Sequence, residues 1–170
     1  MAKAVLISIR PKWCEKIASG GKTVEVRKNR PKLKTPFKCY IYCTKRNDGL
    51  IKGDIPATVG YIAKNEGKVI GEFVCDEIIS IAGAGRISSD IARPTCIEPA
   101  ELHRYLGAAN GYGWHISDLK IYDTPKELSE FSHPFENCID KVCDEFGCAS
   151  CENGGHIKRP PQSWCYVEVL

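Results

Sequence analysis

The chain has no apolar run near the roughly 18 residues that a membrane-spanning helix needs, and its opening MAKAVLISIRP is broken too soon by Arg10 and Pro11 to serve as a secretion signal. These absences give the expectation of a soluble, cytoplasmic protein. A Walker loop, a dinucleotide fingerprint and the Ser/His/Asp elbow of a hydrolase are also missing, so three large enzyme classes lack their usual mark. Histidine is scarce, with four in the chain. His103 on a predicted helix and His115 on a predicted strand have no spacing that would pair them for acid–base work. Acidic residues are nearly missing from one region: residues 1–52 hold 14 Lys or Arg against Glu15, Glu25 and Asp48. The other 118 residues reverse the balance, with 10 basic and 18 acidic. Clustered positive potential concentrates phosphates around it, so the basic part favours a nucleic-acid or nucleotide partner. The plainer role for such lysines is to keep strand edges from pairing.

What is present suffices for one domain. The 170 residues are 43% hydrophobic and 26% charged, enough to bury a core. AVLISI at 4–9 reads as a buried strand, and PKWCEKIASG as a short helix with Pro11 at its first position and Gly20 as its stop. GGKTVEVR at 20–27 follows. Alternation puts Val24 and Val26 on one strand face and Thr23, Glu25 and Arg27 on the other, with Lys22 at the strand's start. Taken alone, the second face is the wet side of a strand carrying a Glu25–Arg27 surface ion pair. FKCYIYCT predicts a strand with Tyr40, Tyr42 and Thr44 opposite Cys39, Ile41 and Cys43. Residues 45–67, with Gly49, Gly53, Pro56, Gly60 and Gly67, predict an irregular excursion. KVIGEFVCDEIISI predicts one long strand bulged at Gly71. EPAELHRYLG predicts a helix over 98–106, WHISDLKIYD a further strand, and SWCYVEVL the closing one. Five or six strands, two or three short helices and no βαβ rhythm predict an α+β domain whose mixed sheet curls into a small β-barrel.

The ordered set LISIRPKWCEKIASGGKTVEVRK, YIYCTK, KVIGEF and RPPQSWCYVEVL, spread from residue 5 to residue 170, resembles the ASCH domain, a member of the PUA-like superfamily of small RNA-associated β-barrels. Its most specific piece is the G-x-K-x-x-E-x-R pattern after the first helix. The resemblance implies a single domain over 1–170, a pseudo-barrel, and a cleft lined by the Lys22, Glu25 and Arg27 strand. Activities in that family include RNA or DNA binding, ribonuclease action and deacetylation of acetylcytidine, so the fold does not choose among them. This chain departs from the compact members at 45–67 and in a cysteine-rich insertion over 134–160.

As a reader of RNA or single-stranded nucleic acid, the cleft offers Arg27 as a planar fork for phosphate, with Lys22 and Lys45 as point charges. Trp114, Trp164 and Tyr42 are candidates for stacking on an unpaired base. Glu25 suits orienting Arg27 or accepting from a base amino group. As a ribonuclease, the site would draw on Lys22, Arg27, Lys45, Tyr42 and Ser163. The family's acetylcytidine hydrolases carry a Lys and a Thr three positions apart on this strand. Here Lys22 holds the first place and Glu25 stands in the second, so Glu25 or Glu101 would supply the carboxylate. A non-catalytic module of RNA metabolism is the third reading, and protein partners are unspecified.

Without a secretion signal, cysteines at short spacing point to metal rather than disulfides. Cys138, Cys143, Cys148 and Cys151 have spacings x4, x4 and x2, and His156 follows. The C-x-x-C half resembles a zinc knuckle, so a structural zinc is the one cofactor expected, with no organic cofactor. Reduced thiols on a short helix and loop are the alternative. Cys14, Cys39, Cys43, Cys75, Cys96 and Cys165 fall mostly on apolar faces and read as small core residues.

Overall fold

A computed structural model describes residues 2–46, 56–84, 87–134 and 155–170. Strand β1 (Lys3–Ile9) runs through the middle of the molecule, and Ala4, Val5, Leu6 and Ile7 are wholly buried, as its unbroken apolar run demands. It pairs in parallel with β3 (Phe37–Cys43) and antiparallel with β8 (Trp164–Glu168). Adding β4 (Val69–Cys75) and β7 (Ser117–Lys126) gives a five-stranded mixed sheet in the order β7-β4-β3-β1-β8. A second sheet is antiparallel, with β2 (Val24–Arg27), β6 (Gly111–His115) and β5 (Ile78–Ile81) in the order β2-β6-β5.

The expected small barrel of one curled mixed sheet is therefore corrected to two sheets among the described residues, and the physical cause lies in two breaks. KVIGEFVCDEIISI is two strands, β4 and β5, and the WHISDLKIYD segment is divided between β6 and β7 at Ile116. The breaks are tied together. His115 Nδ1 lies 2.7 Å from Asp76 Oδ1, and the His115 amide donates to the Glu77 carbonyl. Asp118, at φ +45°, turns the chain just beyond. The paired ribbon thus leaves one sheet as β4–β7 and enters the other as β5–β6, which is how strands make a corner between sheets. The bulge expected near Gly71 is present: Ile41 pairs with Gly71 and Tyr42 with Val69, leaving Ile70 as the extra residue. A Cβ at Gly71 would stand 2.5 Å from the Lys120 carbonyl oxygen, so only glycine lets β7 approach.

Helices α1 (Pro11–Ala18) and α4 (Pro99–Leu106) lie where their proline starts predicted. Helix α2 (Ala57–Lys64) corrects the expected irregular excursion. Gly60 at its middle costs about 1 kcal/mol of helix propensity, yet Ile62 is fully buried and the Tyr61 hydroxyl donates to the Tyr122 carbonyl, so tertiary packing decides. A one-turn helix α3 (Ser89–Ala92) runs into a 3-10 turn, Arg93–Thr95.

Among the described residues three apolar clusters result. Val5, Ile7, Cys39, Ile41, Phe73 and Trp114 fill the space between the sheets. Leu6, Tyr40, Tyr42, Val69, Tyr122 and Phe131 cover the outer face of the larger sheet. Val26, Ile81, Leu102 and Leu106 pack the smaller sheet against α3 and α4. Among the described residues no helix is long and apolar enough to cross a membrane.

Candidate functional site

The GGKT turn sets the site. Gly20 takes φ +76°, the Lys22 amide donates to the Lys16 carbonyl, and the Thr23 amide donates to Pro94 in the 3-10 turn. Lys22 is thereby aimed inward and is 2% exposed. Its Nζ donates to the Thr95 carbonyl at 2.7 Å, lies 3.3 Å from Glu25 Oε2, and sits 5.1 Å from the centre of the Trp13 ring. Glu25 Oε1 in turn meets Arg27 Nη2 at 3.0 Å, and the same Nη2 donates to the Ser8 carbonyl of β1 at 2.7 Å. Cation, anion and cation form a chain running toward solvent. Burial holds the Lys22 ammonium below its ordinary pKa, and Glu25 pulls it partly back.

The expectation of a wet strand face is corrected by this geometry. Glu25 is 6% exposed and lies opposite Trp114 on β6, a residue of the inter-sheet core. The charged side of β2 therefore faces the larger sheet. Val26, on the other side, packs on the α3 and α4 cluster. Alternation gave the two faces correctly and could not say that both would be covered.

Ser163 also reaches the site, with its Oγ 3.5 Å from Arg27 Nη1. Ser8 Oγ donates to the Pro161 carbonyl at 2.6 Å, which ties the segment before β8 to β1. Trp164 is half-buried, its ring centre 5.9 Å from that of Trp114 and 5.4 Å from that of Tyr166. Just before and on α1, and on the segment that follows β2, Arg10, Lys12, Lys16, Lys28, Arg30, Lys32 and Lys34 are all exposed.

Other predicted site residues are placed elsewhere. Tyr42 belongs to the outer cluster of the larger sheet, so its hydroxyl is on the wrong side for the triad. Trp114 is wholly buried between Phe37 and Trp164, leaving no open ring face for a base. Lys45 is exposed past the end of β3, with its stem against Gly67. Glu101 and His103 are exposed on α4, and His115 is held by Asp76. Cys138, Cys143, Cys148 and Cys151 lie outside the described residues. His156 is exposed and lies 3.2 Å by its Nδ1 from Ser132 Oγ. Two surface hollows, one beside Leu128 and Ile157 and one beside Ile79 and Ile91, are not lined by Lys22, Glu25 or Arg27. The contributions of Ser8 and Thr95 were not foreseen. Both meet the triad through backbone carbonyls, which leave no trace in side-chain identity.

The fold is shared with solved structures of an ASCH protein from Zymomonas mobilis. One matches with 17% identity and a TM-score of 0.59, over 97% of this chain and 87% of that one. A tyrosine-to-phenylalanine variant gives 18% identity and a TM-score of 0.60, over 98% and 91%. A serine-to-alanine variant gives 18% and 0.59, over 97% and 88%. This chain therefore has the ASCH fold, as its motifs led one to expect. At such identities the likeness defines the fold and leaves the chemistry to the site. No protein-family model and no curated protein matches the chain.

Proposed function

We propose that the chain binds RNA or single-stranded nucleic acid across the basic surface at the outer end of the Lys22–Glu25–Arg27 chain. The observation that carries this reading is the group of seven exposed cations on the segments that flank the triad in the chain, residues 10–16 and 28–34, beside a triad whose outermost member, Arg27, is the least buried of the three. Seven exposed positive charges attract a phosphate backbone and release its counterions on binding. Half-buried Trp164 supplies an aromatic edge for an unpaired base. Anisotropy with short labelled RNA and DNA strands, titrated at several salt concentrations, tests this. Wild-type affinity should fall steeply with salt, and Lys28→Ala with Arg30→Ala and Lys32→Ala should flatten the slope by about 0.7 for each phosphate that is no longer neutralised. Affinity indifferent to salt and to these changes would remove the reading.

A second reading is favoured by one observation. Lys22 is a buried amine with a lowered pKa beside a carboxylate, the form in which lysine acts as a nucleophile or base. It supports an amidohydrolase acting on an acylated nucleoside such as acetylcytidine, or a slow ribonuclease using the same group. Acetate release from acetylcytidine, or cleavage of a short RNA, should then vanish in Lys22→Ala. Binding without turnover in either assay would leave a non-catalytic module. For the cysteine-rich insertion we keep the structural zinc as a proposal. Elemental analysis of reduced, tag-free protein should find stoichiometric zinc, and finding none would discard it.

A further inference from the structure

Two buried N–H groups have no acceptor among the described residues: Nε of Arg27 and Nε1 of Trp114. Buried donors are nearly always paired, because an unpaired one has lost its hydration without replacement. Their residues lie on one diagonal of the β2–β6 ladder. Trp114 stands opposite Glu25 across the β2–β6 ladder, and Arg27 is the next residue on the same face of β2. Diagonal neighbours on a ladder are about 7–8 Å apart, within reach of long and aromatic side chains.

Charge gives a second, independent sign. Among the described residues, Lys22 and Arg27 share Glu25 as their only carboxylate within ion-pair distance, which leaves one positive charge in surplus where Lys22 is almost wholly buried and the Arg27 side chain is 11% exposed. A buried surplus charge is unfavourable until an opposite charge joins it. The fork of Arg27 is also not free as the sequence implied. Its Nη2 is held by both Glu25 and the Ser8 carbonyl, so Nε and Nη1 are what remain, with Ser163 Oγ beside Nη1.

We propose that Arg27, Trp114 and Ser163 form a subsite for one small oxyanion whose oxygens accept from Arg27 Nε and Trp114 Nε1. Resting on the nucleic-acid reading above, the anion is a phosphate group. The subsite differs from the exposed rim, which any phosphate of a strand would satisfy. It takes one phosphate at a fixed place, through an indole N–H that carries no charge and is insensitive to salt.

Calorimetric titration of the full chain with inorganic phosphate, at constant ionic strength, tests this. Arg27→Lys keeps the charge and removes Nε, and should weaken phosphate more than about 10-fold. Trp114→Phe removes one neutral donor and should weaken it about 5-fold to 10-fold. Lys64→Ala, an exposed change on α2, should leave the affinity alone. Since Trp114→Phe also thins the core, melting curves provide a second measurement: phosphate should raise the melting temperature of the wild type and leave that of Arg27→Lys nearly unmoved. No phosphate binding, or binding that both variants keep, overturns the subsite even if oligonucleotides bind. Phosphate binding that both variants lose, in a protein that ignores oligonucleotides, upholds the subsite and removes the nucleic-acid reading instead.

Discussion

Glu25 and Arg46 each stand between two partners of opposite sign, and the two clusters are inverted images. Glu25 joins Lys22 and Arg27, while Arg46 joins Glu15 of α1 and Glu66 ahead of β4. The central side chains differ in exposure, 7% for Glu25 against 22% for Arg46. Arg46 is further secured by its own amide, which donates to Glu66 Oε2 at 2.8 Å. Burial alone would lower the Arg46 pKa, but the bonds from Glu66 and Glu15 outweigh it and the net shift is upward. The Arg46 cluster is thus a strap, sharing its charge with water and joining helix to sheet. The Glu25 cluster lies in the inter-sheet core and, among the described residues, is unbalanced and accompanied by two donors without an acceptor. The difference teaches that similar ion chains serve different ends according to whether their hydrogen-bonding capacity is used up.

The comparison breaks most visibly at Glu25. Glu25→Ala leaves two cations facing each other with little solvent, and should cost about 3–5 kcal/mol of stability in urea unfolding. Arg46→Ala removes a strap whose carboxylates retain access to water, so about 1–2 kcal/mol is expected from the same measurement. Equal losses would mean that burial does not separate the clusters. A smaller effect concerns Lys22, whose folded pKa is lowered. Its native state sheds its proton before the unfolded state does, so wild-type stability should rise relative to Lys22→Met as pH climbs toward the ordinary lysine value of 10.5. Parallel pH profiles for the two proteins would contradict the buried, charged Lys22.

The parts of this picture that side-chain pattern carries were legible. Prolines at positions 11 and 99 marked two helices, the β1 run marked a strand covered on both faces, and the G-x-K-x-x-E-x-R spacing named three residues that do meet. What was not legible depends on the third dimension. Period-2 alternation assigns Glu25 and Arg27 to one face but is silent on whether a second sheet covers it. The breaks at Asp76 and Ile116 arise from a contact between segments 39 residues apart, invisible within either. Tyr42 shares its alternation with Tyr40, and only the placement of Phe131 and Tyr122 against them shows that this face looks away from the triad. The α2 helix was hidden by Gly60, because local propensity and tertiary packing disagree there.

Glu72 offers the mildest test, since it combines features of both clusters. It accepts from the Tyr122 hydroxyl at 2.5 Å and pairs with Lys38 at 3.2 Å, with 22% of its side chain exposed. Burial by itself would raise its pKa, but the Tyr122 and Lys38 bonds more than offset this and hold it below the usual carboxylate value. The same bond, after burial, pushes the Tyr122 hydroxyl upward. A carboxylate with a depressed folded pKa contributes stability above its unfolded value, near 4.5, and that contribution is lost as pH falls through the folded pKa. Glu72→Gln keeps an acceptor and removes the charge, so it should lower stability slightly at neutral pH and flatten the acid limb below pH 4.5. An acid limb as steep as the wild type's would assign that loss to other carboxylates, and would set Glu72 with solvated surface pairs rather than between the two clusters.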